Sequence, residues 1–181
     1  QAVEENECER GGNVIIMDPE DGSILAMATY PDYNLNDPYT PNEWYSTGWD
    51  DLSQQEQTNT LYSMWRNRAV LDTYEPGSTF KVITASIGLE ENVVETDTEN
   101  DFFCSGYENV ADRRINCSNL AGHGSQTLRN ALENSCNPAL IQLGQRIGVE
   151  KFYDYLEAFG FFDKTGVDLP SEGTSSFWTE D

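Results

Sequence analysis

Basic residues are scarce in this chain: 10 Lys and Arg stand against 32 Asp and Glu, a formal net charge of −22. So acidic a surface repels phosphate backbones and anionic lipid headgroups, which excludes nucleic acid and anionic membranes as partners. The carboxylates point to no ligand; they read as a solvated surface, and none is assigned to catalysis. No apolar run is long enough to span a bilayer, and neither a signal peptide nor an internal repeat nor a low-complexity tract is present. Histidine occurs once, at His123, and cysteine four times. The chain starts at Gln1 rather than at a Met and stops in a polar stretch, so we expect a piece of a longer protein, with 181 residues enough for one core.

What is present begins with Ser78-Thr79-Phe80-Lys81, preceded by Tyr74-Glu75-Pro76-Gly77. If Pro76-Gly77 breaks the chain and a helix begins at about Ser78, residues i and i+3 share a face, and Lys81 sits one turn from the Ser78 hydroxyl. A serine is a weak nucleophile at neutral pH; a lysine kept neutral by burial can take its proton. Ser-x-x-Lys also arises by chance in helices, where Ser caps and Lys is solvated. Here Phe80, Val82, Ile83, Ala85, Ile87 and Leu89 make the following helix apolar on most sides, so it is expected to be buried and its lysine partly desolvated.

Along the rest of the chain, Asn13 to Asp18 and Ser23 to Tyr30 read as strands of an antiparallel hairpin joined by Pro19-Glu20-Asp21-Gly22. Residues from Pro31 to about Gln57 lack periodicity and read as a long loop, and Asn59 to Leu71 as a lead-in to the Ser78 helix. Phe102 to Gly106 and Arg114 to Cys117 look like short extended pieces. Helices are expected at Thr127 to Asn134, at Pro138 to Ile147 and at Val149 to Phe159, the last carrying Phe152, Tyr153, Leu156 and Phe159 at helical spacing. A strand hairpin followed by a helical block indicates an α+β fold.

These segments resemble the penicillin-binding proteins and serine β-lactamases, whose nucleophile motif is Ser-x-x-Lys on a central helix. Glu75 to Lys81 is similar to the class B, monofunctional transpeptidase branch. So are the run Asp18 to Ala28, then Tyr30 to Asn34, and Asn67-Arg68-Ala69-Val70, in the family's order. The resemblance implies a second element, Ser-x-Asn, which Ser135-Cys136-Asn137 fits. Ser135 would then hydrogen-bond the Lys81 amine and relay a proton to the leaving group, and Asn137 would hold both Lys81 and the substrate's amide carbonyl; the alternative is a plain helix cap. The family's third element, Lys-Thr/Ser-Gly on a strand, is matched in letters by Lys164-Thr165-Gly166. That segment lies only 29 residues beyond Ser135, has no strand alternation and runs into Leu169-Pro170, so it is rejected. The true third element is expected past Asp181.

The implied function is a peptidoglycan D,D-transpeptidase that acylates Ser78 with a D-Ala-D-Ala stem peptide and is blocked by β-lactams. Its full-length form would be anchored to the cell membrane, work outside the cytoplasm and associate with other cell-wall synthesis proteins. Catalysis would need no cofactor. Loss of an oxyanion donor alone costs about 3 to 4 kcal/mol of transition-state stabilisation, so the isolated chain should be a poor enzyme. Two other readings stay open: a serine β-lactamase, and a non-catalytic β-lactam sensor or zinc-stabilised scaffold.

Cys104, Cys117, His123 and Cys136 follow the spacing C-x12-C-x5-H-x12-C, and Cys8 stands apart. Three thiols and an imidazole suit a tetrahedral zinc site that would staple a segment poor in regular structure. A Cys104–Cys117 disulfide, with Cys136 a small buried residue, and free thiols are the alternatives.

Overall fold

A computed structural model describes residues 2–9 and 11–177. The described residues divide into two compact units: one runs to Thr73 and takes in Gly166–Thr174, and the other holds Tyr74–Thr165 and residues 175–177.

In the first unit a short helix α1 (Ala2–Glu5) precedes the hairpin β1 (Gly12–Met17) and β2 (Ile24–Tyr30), paired antiparallel from Gly12↔Tyr30 to Ile16↔Ala26, with an irregularity before Met17↔Ile24. The Asp18–Ser23 turn closes by Asp18 N–H to Ser23 O at 2.8 Å and Gly22 N–H to Asp18 O at 2.9 Å. Apolar side chains occupy both faces of this ribbon: Val14 is 60% and Ile16 52% exposed, with Ile15 and Met17 exposed on the opposite face. Such a strand pattern belongs to a sheet covered on both sides.

The expected long loop is shorter than the sequence suggested. Helix α2 (Gln54–Trp65) begins inside it, opened by a capping box in which Ser53 and Glu56 each accept from the other's backbone N–H. The Ser-x-x-Glu signal was in the sequence, but the weakly amphipathic run behind it concealed the helix. Helix α3 (Arg68–Leu71) follows, capped by the Asn67 side chain. Residues 31–53 are fixed instead by aromatic contacts, Tyr30 against Trp44 and Tyr39 against Trp65, and by Trp65 Nε1–H donating to Pro38 O at 2.7 Å.

The second unit begins with a 3-10 turn (Gly77–Phe80) leading into α4 (Lys81–Glu90). Four short strands follow, β3 (Phe102–Cys104), β4 (Tyr107–Val110), β5 (Arg113–Asn116) and β6 (Gly124–Gln126); β3 pairs with β6 and β4 with β5, both antiparallel. Helices α5 (Leu128–Glu133), α6 (Asn137–Ile147) and α7 (Val149–Ala158) complete it, close to the expected spans. The core collects Ile87, Phe102, Leu128, Ala131, Ala139 and Leu143. Helix α4 is less enclosed than its composition suggested: Thr84, Ala85, Ile87 and Gly88 are buried, whereas Val82 and Leu89 are exposed. Its close approach to α6 rests on Gly88, where an added Cβ would stand 2.8 Å from Leu143 Cδ1. Among the described residues no helix is long and apolar enough to cross a membrane.

Leu143 is fully buried at this crossing. Leu143→Ala should therefore lower unfolding free energy by about 2 to 5 kcal/mol in chemical denaturation, through lost burial and the cavity left behind.

Candidate active site and thiol cluster

Ser78 is not in the α-helix. It lies in the 3-10 turn, and the α-helix starts at Lys81. With three residues per turn, i and i+3 eclipse, so the turn aligns Ser78 with Lys81 more closely than an α-helix would. Gly77 makes the entry with φ +59°, a conformation that costs glycine little. The Lys81 Nζ lies 3.3 Å from Ser78 Oγ.

The third group comes from the α5–α6 junction, 54 residues on. Lys81 Nζ donates to the Ser135 carbonyl at 2.6 Å and to Ser135 Oγ at 2.8 Å, and Ser135 Oγ–H donates to Ser78 Oγ at 2.9 Å. The three side chains thus close a hydrogen-bonded triangle. The local fold explains how Ser135 turns both its oxygens toward Lys81. Helix α5 ends in a Schellman turn: Cys136 N–H bonds Ala131 O at 2.8 Å, Ser135 N–H bonds Leu132 O at 3.0 Å, and Ser135 has φ +46°. Glycine usually fills that left-handed position; a serine there costs about 1 kcal/mol. Backbone strain of this kind concentrates where side-chain geometry matters.

Asn137 lies near the triangle but not as the sequence suggested. Its Nδ2 donates to Asn116 O at 2.9 Å, while the three Lys81 donors go to Ser78 and Ser135. The expected Asn137–Lys81 contact is therefore replaced by a tie to β5. Lys164-Thr165-Gly166 lies in irregular chain.

Burial lowers the Lys81 pKa, and the nearby Cys136 and Cys117 pull it back upward. A lysine so placed holds a neutral fraction larger than a solvated one and can accept a proton from Ser78; Ser135 can pass it on.

The four predicted metal ligands do converge. The Sγ atoms of Cys104, Cys117 and Cys136 and a ring nitrogen of His123 all lie within 4.8 Å of one another, with the three cysteines buried. Cys117 Sγ is 3.5 Å from His123 Nδ1 and 4.0 Å from Cys136 Sγ. Sulfurs on one tetrahedral zinc would stand about 3.8 Å apart, so the donor set fits a metal ion. All four cysteines are free, and the alternative Cys104–Cys117 disulfide is not formed. Burial pushes the Cys136 thiol up to about 11. Burial also acts to raise Cys117, but hydrogen bonds from the Asn119 and Asn137 backbone and the Cys104 and Cys136 thiols bring it below the ordinary value. Sequence reasoning missed Gln126, which is buried and donates Nε2–H to Cys136 Sγ at 3.2 Å; a lone Gln in a three-residue strand carries no signal.

A family profile described as the penicillin binding protein transpeptidase domain matches residues 12–181. The chain belongs to this family. Its relatives are class B penicillin-binding proteins, and its fold is the family's α+β transpeptidase fold in part. Stage V sporulation protein D of Bacillus subtilis is 39% identical over 160 residues, 88% of this chain but 22% of that protein. Peptidoglycan D,D-transpeptidase MrdA of Acinetobacter baumannii is 33% identical over 165 residues, 90% of this chain and 23% of that protein. The chain thus spans less than a quarter of the length of either relative. Among solved structures, the D,D-transpeptidase domain of a peptidoglycan glycosyltransferase from Eggerthella lenta superimposes with a TM-score of 0.71 at 33% identity, covering 98% of this chain and 39% of that one. Penicillin-binding protein A of Mycobacterium tuberculosis, solved as an imipenem acyl-enzyme complex, gives 0.68 at 28% identity, covering 91% and 37%.

Because the thiols must lose their protons on binding, metal affinity should weaken as pH falls. Titration with Co2+ should give thiolate-to-cobalt absorption saturating at one ion per chain at pH 8, fading towards pH 5.5 and lost in Cys104→Ala.

Proposed function

We propose that the full-length protein is a peptidoglycan D,D-transpeptidase and that Ser78, Lys81, Ser135 and Asn137 form one wall of its acylation site. The hydrogen-bonded triangle of Ser78, Lys81 and Ser135 carries this reading. Neutral Lys81 takes the Ser78 proton as Oγ bonds to the carbonyl carbon of the penultimate D-Ala. The bond to the terminal D-Ala breaks, and Ser135 relays the proton to the leaving amine. An acceptor amine from a neighbouring stem peptide then attacks the ester, forms the cross-link and frees Ser78. Asn137, held by Asn116, presents its Oδ1 to the substrate amide. β-Lactams acylate Ser78 by the same route.

The remaining strands of the domain, including the Lys-Thr/Ser-Gly strand, lie elsewhere in the full-length protein and cover the exposed faces of β1 and β2; the exposure of Val14 to Met17 supports this. Without them the second oxyanion donor is missing, and the chain alone is a poor enzyme. The full-length protein is membrane-anchored, acts outside the cytoplasm and works with other cell-wall synthesis proteins. Cys104, Cys117, His123 and Cys136 hold a structural zinc, a closed four-ligand set that takes no part in catalysis. Full-length protein purified without added zinc should contain close to one zinc per chain, and chelation should lower its melting temperature; a metal-free, equally stable protein would rule the site out.

A fluorescent penicillin should label the full-length protein stably, and Ser78→Ala should abolish labelling. Ser135→Gly should slow acylation at least a hundredfold yet leave stability unchanged or higher by about 1 kcal/mol, since glycine suits φ +46°. The acylation rate should rise with pH, with a midpoint below the ordinary lysine value, because only neutral Lys81 accepts the proton. Rapid release of the label would instead mark a β-lactamase, and labelling of Ser78→Ala would overturn the assignment of the nucleophile.

A further inference from the structure

We propose that Gln126 is a positioning residue for Ser135, clamping both sides of the strained turn that aims its hydroxyl. This rests on the reading of Ser135 as the proton relay. Gln126 ends β6, where pairing with Phe102 fixes its backbone, and its side chain is buried, the residue being 3% exposed. Both ends of that side chain are engaged. Nε2–H donates to Cys136 Sγ at 3.2 Å, and Oε1 accepts from Asn134 Nδ2 at 3.0 Å. Asn134 and Cys136 are the residues immediately before and after Ser135. One planar amide therefore grips the turn on either side of its left-handed residue.

The grip answers a physical need. Ser135 holds φ +46°, which its own side chain disfavours, and a non-glycine left-handed residue persists only where its surroundings over-determine it. The Schellman bonds fix the backbone path, but on their own they tolerate the small tilts that would move Oγ off Ser78 and Lys81. Rotating the turn would leave a buried Gln126 donor or acceptor unpaired, which the apolar surroundings penalise. An error of about 1 Å in such a group can cost up to 100-fold in rate. No relay step passes through Gln126 itself.

The test uses the full-length protein and a fluorescent penicillin, separating non-covalent affinity from the acylation step. Gln126→Met, similar in volume but without the amide, should slow acylation ten- to a hundredfold while non-covalent affinity stays within twofold. In a Ser135→Ala background the same change should add nothing, because the hydroxyl it positions is gone. A parent-like rate in Gln126→Met, or a further slowing on top of Ser135→Ala, overturns the proposal alone. Ser135→Ala acylating at the parent rate overturns the relay reading and this proposal with it. Should Gln126→Met lose its thermal unfolding transition, Asn134→Ala, at the exposed end of the clamp, serves in its place: a several-fold loss, again absent beside Ser135→Ala, supports the clamp, and a parent-like rate overturns it.

Discussion

The contact between Lys81 and Ser135 organises the second unit. It joins the start of α4 to the junction of α5 and α6, and it uses both oxygens of Ser135. Two local devices make it possible. A 3-10 turn stacks Ser78 directly over Lys81, and a Schellman turn with serine in the glycine position swings the Ser135 carbonyl and hydroxyl to the same side. The apolar packing of α4 on α6, with Leu143 against Gly88, holds the two devices in register. The energetic scale supports that division: burial in the core supplies stability, while the polar triangle, each bond worth only about 1 kcal/mol net, supplies geometry.

The thiol cluster borders this arrangement through a single residue. Cys136 follows Ser135, caps α6 at its N-terminus and places its sulfur among Cys104, Cys117 and His123. Asn137, one residue further, is tied to the carbonyl of Asn116, which itself precedes Cys117. The second motif is thus held by hydrogen bonds on one side and by the thiol set on the other. Charge links the two as well, because the sulfurs oppose the lowering of the Lys81 pKa that burial imposes.

Much of the fold was legible because its signals are local. The Asp21-Gly22 turn marked the β1–β2 hairpin, and Thr127, Pro138 and Gly160 bounded the helices of the second unit. Helix α2 was missed although Ser53 and Glu56 announced it, since polar residues such as Gln54, Gln55 and Asn59 obscured the period. The pairing of β3 with β6 could not be read at all: three-residue strands separated by 19 residues carry no register of their own. At the site, the i, i+3 spacing brought Ser78 and Lys81 into view, and the family resemblance added Ser135 and Asn137. The resemblance mistook the partner of Asn137, because a side chain's choice between a lysine and a backbone carbonyl depends on which β-strand lies beside it.

The sequence by itself determined which groups are available: a serine three residues before a lysine, a serine and an asparagine bracketing a cysteine, and three thiols with one imidazole. It also determined the family, because residues 12–181 match the transpeptidase domain profile. Only the tertiary structure decided that Lys81 meets Ser135 without Asn137, that four dispersed donor atoms fall within 4.8 Å of one another, and that Gln126 hydrogen-bonds the residues on either side of Ser135. The physical reason is distance along the chain. Local geometry follows from residues a few positions apart, whereas contacts spanning from 10 to 54 residues exist only once the core has packed.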